Sequence, residues 1–151
     1  IPIFVDTVST IKSKKILPFL KDIYFLKPNF NEAKKLLNLD KKNTFSKKKK
    51  SQKLHLLGLK KIFITDGKNN AFYSDSYISK KYIPPRVNIL NVSGAGDSII
   101  SGIVHGFINN WDWDYTNKFA LSLSALNLES TQCVNPKINQ QKIKNFIKAK
   151  F

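Results

Sequence analysis

The sequence predicts an α/β fold, a doubly wound and mostly parallel sheet with helices on both faces. Three observations predict it. Short β-branched and aromatic runs alternate with helical patterns over the first two thirds of the chain. Each such run ends at an Asp, Pro or Gly that breaks it. A small-residue turn, Gly94-Ala95-Gly96, then opens a long apolar helical pattern, and the last third is helical throughout.

Ile1 to Val5 reads as a buried strand ending at Asp6. Ser9 can cap a helix over Thr10 to Leu20, which places Ile11, Ile16, Leu17 and Leu20 roughly on one face, with Pro18 shortening or kinking its end. Ile23 to Leu26 is the second strand. Lys27-Pro28-Asn29 breaks it, and Asn29 caps a helix running through Leu37 and Leu39. Residues 41–53 hold seven Lys and no acid, which predicts an exposed, mobile loop with the Lys47 to Lys50 run solvated. A short helix over Gln52 to Leu57 is stopped by Gly58. Lys61 to Thr65 is the third strand and Gly67 to Asn70 a turn, followed by a hairpin of Ala71 to Ser74 and Tyr77 to Ile83 that Pro84-Pro85 ends. Helices are expected over Gly94 to Asn109, Tyr115 to Leu128, capped by Asp112 or Asp114, and Asn139 to Lys150.

A chain of 151 residues fits one domain with a useful core. No apolar run approaches the roughly 20 residues of a membrane span. No signal peptide is visible and residue 1 is Ile, so the sequence is expected to begin inside a longer one. Cys133, the only cysteine, can form no internal disulfide, which fits a reducing, cytoplasmic compartment. The formal charge of +16 invites a nucleic-acid reading. Yet 25 of the 26 basic residues are Lys and only Arg86 is Arg. Base reading leans on the Arg fork, so specific nucleic-acid binding is not expected.

The chemistry concentrates at residues 91–98, Asn-Val-Ser-Gly-Ala-Gly-Asp-Ser. A glycine turn opening a helix aims unpaired N–H groups and the positive end of the helix dipole at one point, which favours a phosphate. Asp97 beside it can take a proton from an attacking hydroxyl. The spacing is neither that of a P-loop nor that of the dinucleotide fingerprint. Asp6 with Thr7, Lys27 to Glu32, and Thr65 to Gly67 fall at strand carboxyl ends, where α/β sheets bind ligands. Each has a plain structural alternative. Asn29 is a good cap without any ligand, Glu32 at the third helical position completes a capping box without any metal, and Thr65 with Gly67 can be a simple turn. Lys27 reads as a solvated strand-end charge or a phosphate contact. His55 and His105 have no metal spacing and read as surface or packing residues.

These residues resemble the C-terminal part of the ribokinase-like, PfkB-type carbohydrate kinases. Asn91 to Asp97 matches that family's Asp-Thr-x-Gly-Ala-Gly-Asp signature, with Asn91 and Val92 replacing the first two residues. Asn29 to Glu32 matches its Asn-x-x-Glu motif, and Ile62 to Gly67 its strand and glycine turn, where Asp66 replaces a Leu-like residue. Within the family the sequence is most similar to the pseudouridine kinase branch, through Phe4 to Ser9, Leu26 to Ala33, Tyr73-Ser74-Asp75, Glu129-Ser130 and Asn135-Pro136.

The resemblance implies an ATP- and Mg²⁺-dependent kinase that phosphorylates a nucleoside or sugar hydroxyl, with pseudouridine 5′-phosphate as the product. It implies Asp97 as the base and the amides of Gly94, Ala95 and Gly96 as the anion hole. Glu32, with Asn29, would act through water on Mg²⁺ and the phosphates; Thr65 and Gly67 would border ATP, with Asn135 near the adenine. All 151 residues would form the C-terminal portion of one kinase domain, lacking the N-terminal part and lid that carry the sugar contacts. A homodimer in the full-length form is compatible with it. Without that part, the first strand would keep an exposed edge. Three other readings stay open: another sugar or nucleoside kinase of the family, a truncated relic that at most binds ATP, and a basic binding module.

Overall fold

The apolar runs of the first half become strands because their side chains alternate between two covered faces. In a computed structural model, which describes residues 1–39 and 44–151, the chain divides into a unit of Ile1–Ile83 and a unit of Pro84–Phe151. The first carries a five-stranded sheet in the order β1 (Ile3–Asp6), β2 (Ile23–Lys27), β3 (Lys61–Ile64), β4 (Ala71–Ser74), β5 (Ser79–Tyr82). The first three strands run parallel, and β4 and β5 add the expected hairpin antiparallel. Leu26, Ile62 and Ile64 join Leu36, Leu54 and Leu59 in one core. Between them, Phe25 and Phe63 turn to the other face, where Phe25 stacks with Phe4 and Tyr73.

The helix expected over Thr10 to Leu20 is shorter. Ser9 caps α1 (Thr10–Ser13) through its hydroxyl, and a 3₁₀ helix continues over Lys14–Phe19. Pro18 is the cause: it has no N–H for the Lys14 carbonyl, and its ring crowds that group. Asn29 caps α2 (Phe30–Leu36), and Asn38, at φ 53°, ends it before Leu39.

The lysine-rich segment differs most from expectation. Residues 41–43 lie outside the described residues, but from Lys47 the segment is helix: α3 (Lys47–Leu56), capped by Ser46. Lys is a good helix former, and Ser46 supplies the start. Nor is the run wholly solvated. Lys50 is fully buried, its ammonium 4.1 Å from the centre of the Phe30 ring and donating to the Phe45 carbonyl. Burial, with Lys34 and Lys47 nearby, pulls its pKa down, against a smaller opposing effect of Asp66.

At the far end of β3 the Asp75 carboxylate accepts from the Tyr73 hydroxyl at 2.7 Å and the N–H groups of Tyr77 and Ile78 at 2.8 Å. Burial pushes its pKa up, but these donors and Lys61 outweigh it and hold the group below the usual carboxylate range. His55 joins the Leu59 carbonyl to Ser74 and is a packing residue.

The second unit holds α4 (Ala95–Ile108), α5 (Trp113–Leu128) and α6 (Gln140–Lys150). Gly102 and Gly106 let α4 approach α5 closely: β-carbons there would lie 2.6 Å from Ala120 Cα and 2.5 Å from Thr116 Oγ1. Asp112 caps α5 by accepting from the Tyr115 N–H. His105 packs between Phe119 and Trp111.

Candidate functional site

The parallel strands β1, β2 and β3 deliver their carboxyl ends side by side in the first unit. Asp6 is the register partner of Lys27, and their charges pair at 2.9 Å. Lys27 is thus a buried, neutralised lysine, 5% exposed, not a solvated strand-end charge. The pairing depends on strand register, which composition does not reveal. Asn29 bridges to Thr65 in parallel fashion, with the Thr65 N–H on the Pro28 carbonyl and the Phe30 N–H on the Thr65 carbonyl.

Glu32 is held from three sides. Its backbone N–H donates to Asn29 Oδ1 at 2.9 Å, and its Oε2 accepts from the Asn29 N–H at 2.7 Å. This is a complete capping box. Thr7 adds a hydroxyl donor to the same Oε2 at 2.5 Å. Thr7 and Glu32 are both buried. The structural role of Asn29 and Glu32 is therefore realised, and Oε1 of Glu32 accepts no bond among the described residues. Val8, next along, sits at φ 59°, a strained conformation for a β-branched residue.

Gly67, also left-handed at φ 53°, is exposed with open space around its α-carbon. Asp66 pairs with Lys47 at 2.8 Å, which ties α3 to the Thr65–Gly67 turn.

No group of three or more His, Cys, Asp or Glu side chains gathers among the described residues. Glu32 alone could not cage a bare cation. It suits a hydrated Mg²⁺, which keeps several waters and takes one or two carboxylates together with phosphates.

In the second unit, Gly94 caps α4 in the left-handed region at φ 77°, with no side-chain cap. A β-carbon there would lie 2.3 Å from the Cys133 carbonyl oxygen. The N–H groups of Gly94, Gly96 and Asp97 meet no acceptor among the described residues, and that of Ala95 only a long one, the Val92 carbonyl at 3.4 Å. The helix start thus offers three open donors where the glycine turn meets the dipole's positive end. Ser98 and Ser124 fix the turn by donating to the Gly94 and Ala95 carbonyls. Asp97 stands exposed on this first turn, with no ion pair or hydrogen bond among the described residues. A free carboxylate beside open amide donors can accept a proton next to a bound phosphate.

Asn135 is half-buried, its side chain held by the Leu126 carbonyl and the Lys137 N–H. Sequence reasoning missed Asn127. Its buried amide reaches the Cys133 carbonyl, the Ser93 carbonyl and the Asn135 N–H. The only signal was an amide inside the apolar pair Leu126 and Leu128.

Comparison with known proteins gives a consistent result. The family model described as pfkB family carbohydrate kinase matches residues 1–140. Among curated relatives, the pseudouridine kinase of Escherichia coli K12 is 30% identical over 140 residues, 92% of this chain and 45% of that one. The crystal structure of a Clostridium perfringens protein superposes with a TM-score of 0.91 at 27% identity, over 99% of this chain and 48% of the other. An Escherichia coli structure in complex with ATP and Mg²⁺ shares the fold at a TM-score of 0.78 and 15% identity, over 92% of this chain and 44% of that one. The chain thus spans under half the length of each.

Proposed function

The chain belongs to the pfkB family of carbohydrate kinases, and from that premise we propose that it takes part in ATP-dependent phosphorylation of a nucleoside or sugar hydroxyl, with pseudouridine as the preferred acceptor. One observation carries the reading: an exposed, unpaired Asp97 beside the open N–H groups of Gly94, Gly96 and Asp97. The pseudouridine choice is supported by the 30% identical pseudouridine kinase.

In this reading the α4 amides bind the transferring phosphoryl group and stabilise the charge that grows on it. Asp97 orients the acceptor hydroxyl and takes its proton. The hydroxyl oxygen bonds to the γ-phosphorus as the bond to the β,γ-bridging oxygen breaks, and ADP leaves. Glu32, held by Asn29 and Thr7, would hold a hydrated Mg²⁺ through Oε1 by way of water. When bound, the ion screens triphosphate charge. On the family resemblance, Thr65 and Gly67 would border the nucleotide, and Asn135 would serve its adenine.

An ADP-release assay with pseudouridine, ribose and adenosine tests this. Turnover that Asp97→Ala removes supports it; no turnover and no ATP-dependent rise in melting temperature would sink it. ATP binding without turnover is the second reading the assay separates, and its mark is thermal stabilisation by ATP alone.

A further inference from the structure

We propose that Asn127 is a positioning residue, the side chain that keeps the amide donors at the start of α4 open and aimed. The proposal rests on the kinase reading above. Helix starts normally close on themselves: a Ser or Asp at the cap folds back onto the first N–H groups. Ser93 stands directly before Gly94 yet does not do so. Its N–H is taken by Asn91 Oδ1 at 2.9 Å. Its carbonyl accepts a long hydrogen bond from Asn127 Nδ2, at 3.5 Å.

The same Nδ2 donates to the Cys133 carbonyl at 2.9 Å. That carbonyl oxygen is the atom against which Gly94 packs. Asn127 thus anchors both the residue that leads into the turn and the wall behind it. Its Oδ1 accepts from the Asn135 N–H at 2.8 Å, so one amide ties the glycine turn to the segment reaching Asn135. Asn127 is 2% exposed. A buried amide between two leucines stabilises nothing unless its polar atoms are satisfied. Here loop backbone satisfies them, and that backbone borders the donors. Asn127 itself need touch no ligand.

The test is an ATP titration of the ¹⁵N-labelled full chain followed by NMR, with adenosine as the control. The Gly94, Gly96 and Asp97 amide signals and the Asn127 side-chain signals are expected to move on one saturation curve. Asn127→Asp keeps an acceptor for Asn135 but sets an oxygen against the Cys133 carbonyl. It is expected to weaken ATP binding about tenfold, the loss of one buried donor, and to change adenosine binding much less. A merely structural role would weaken both alike, and that result overturns the proposal. If ATP moves no wild-type signal, the kinase reading fails and the proposal with it. If ATP moves the glycine amides while the Asn127 side chain stays still, the reading stands and Asn127 has no positioning role. Should the variant not fold, these wild-type side-chain signals decide alone.

Discussion

The carbonyl oxygen of Cys133 lies 2.3 Å from the place a β-carbon of residue 94 would take. Gly94 also sits at φ 77°, where L side chains are strained. Gly94→Ala must therefore displace the Cys133 segment or unwind the turn. The expected cost is about 1–3 kcal/mol of stability, together with loss of ATP-dependent thermal stabilisation. Thermal melts with and without ATP check both.

Asp97 makes no contact that its loss would break. Asp97→Asn is expected to leave stability within about 0.5 kcal/mol of the original, as at ordinary surface positions. Turnover should fall by about 10²–10⁴, the contribution of a positioned base, while ATP binding persists. Kinetics paired with urea unfolding check the separation.

Glu32 carries two roles that one substitution divides. Glu32→Gln keeps an oxygen for the Asn29 N–H and the Thr7 hydroxyl, so the capping box survives. The negative charge is lost. Melting temperature is expected to shift by only a few degrees, the effect of about 1 kcal/mol, while the Mg²⁺ dependence of ATP binding weakens. Calorimetric ATP titrations at several Mg²⁺ concentrations measure this. An unchanged Mg²⁺ dependence would leave Glu32 as a cap alone.

The parallel strands β1, β2 and β3 were legible because each is an apolar run with a breaker behind it, as Ile62 to Ile64 before Thr65-Asp66-Gly67 shows. The α4 start was legible because three small residues before an apolar helix have few alternatives. Long-range partners were not. Lys27 reads as a solvated charge or a phosphate contact until β1 and β2 come into register and bring Asp6 to 2.9 Å. The Glu32 carboxylate reads as a local cap, and nothing in the sequence announces Thr7, 25 positions earlier. α3 was missed from Lys47 to Ser51 because that run shows no apolar period, only the Ser46 cap. Asn127 is invisible for the same reason as Lys27: its partners are set by where a distant loop returns.

Asp75 makes acid stability testable. Its folded-state pKa is depressed, so its stabilisation is complete above the unfolded value of about 4 and is lost as pH falls through the folded value. Asp75→Asn removes that dependence. Wild-type melting temperature should fall more steeply than the variant's below about pH 4. Melts in a buffer series from neutral to acid, at constant ionic strength, compare the slopes.

Lys50 sets a prediction of opposite sign to ordinary core damage. It is fully buried, yet it donates to a carbonyl and faces the Phe30 ring; no carboxylate pairs with it among the described residues. A buried ammonium loses solvation that these two partners only partly restore. Its pKa is lowered, so the folded chain resists holding that proton more than the unfolded chain does. Below the folded pKa the group therefore weakens the fold, and the penalty fades as pH rises toward the unfolded value. Lys50→Met keeps most of the length and removes the charge. Stability at neutral pH is expected to hold or to rise by about 1–2 kcal/mol, as when a buried ionic group yields to an apolar one. The gain should shrink as pH rises, because the wild type sheds its penalty and Met has none. Urea unfolding at pH 7 and at high pH measures the difference. A loss at both would mean that the Phe45 carbonyl and Phe30 ring hold the ammonium better than water does.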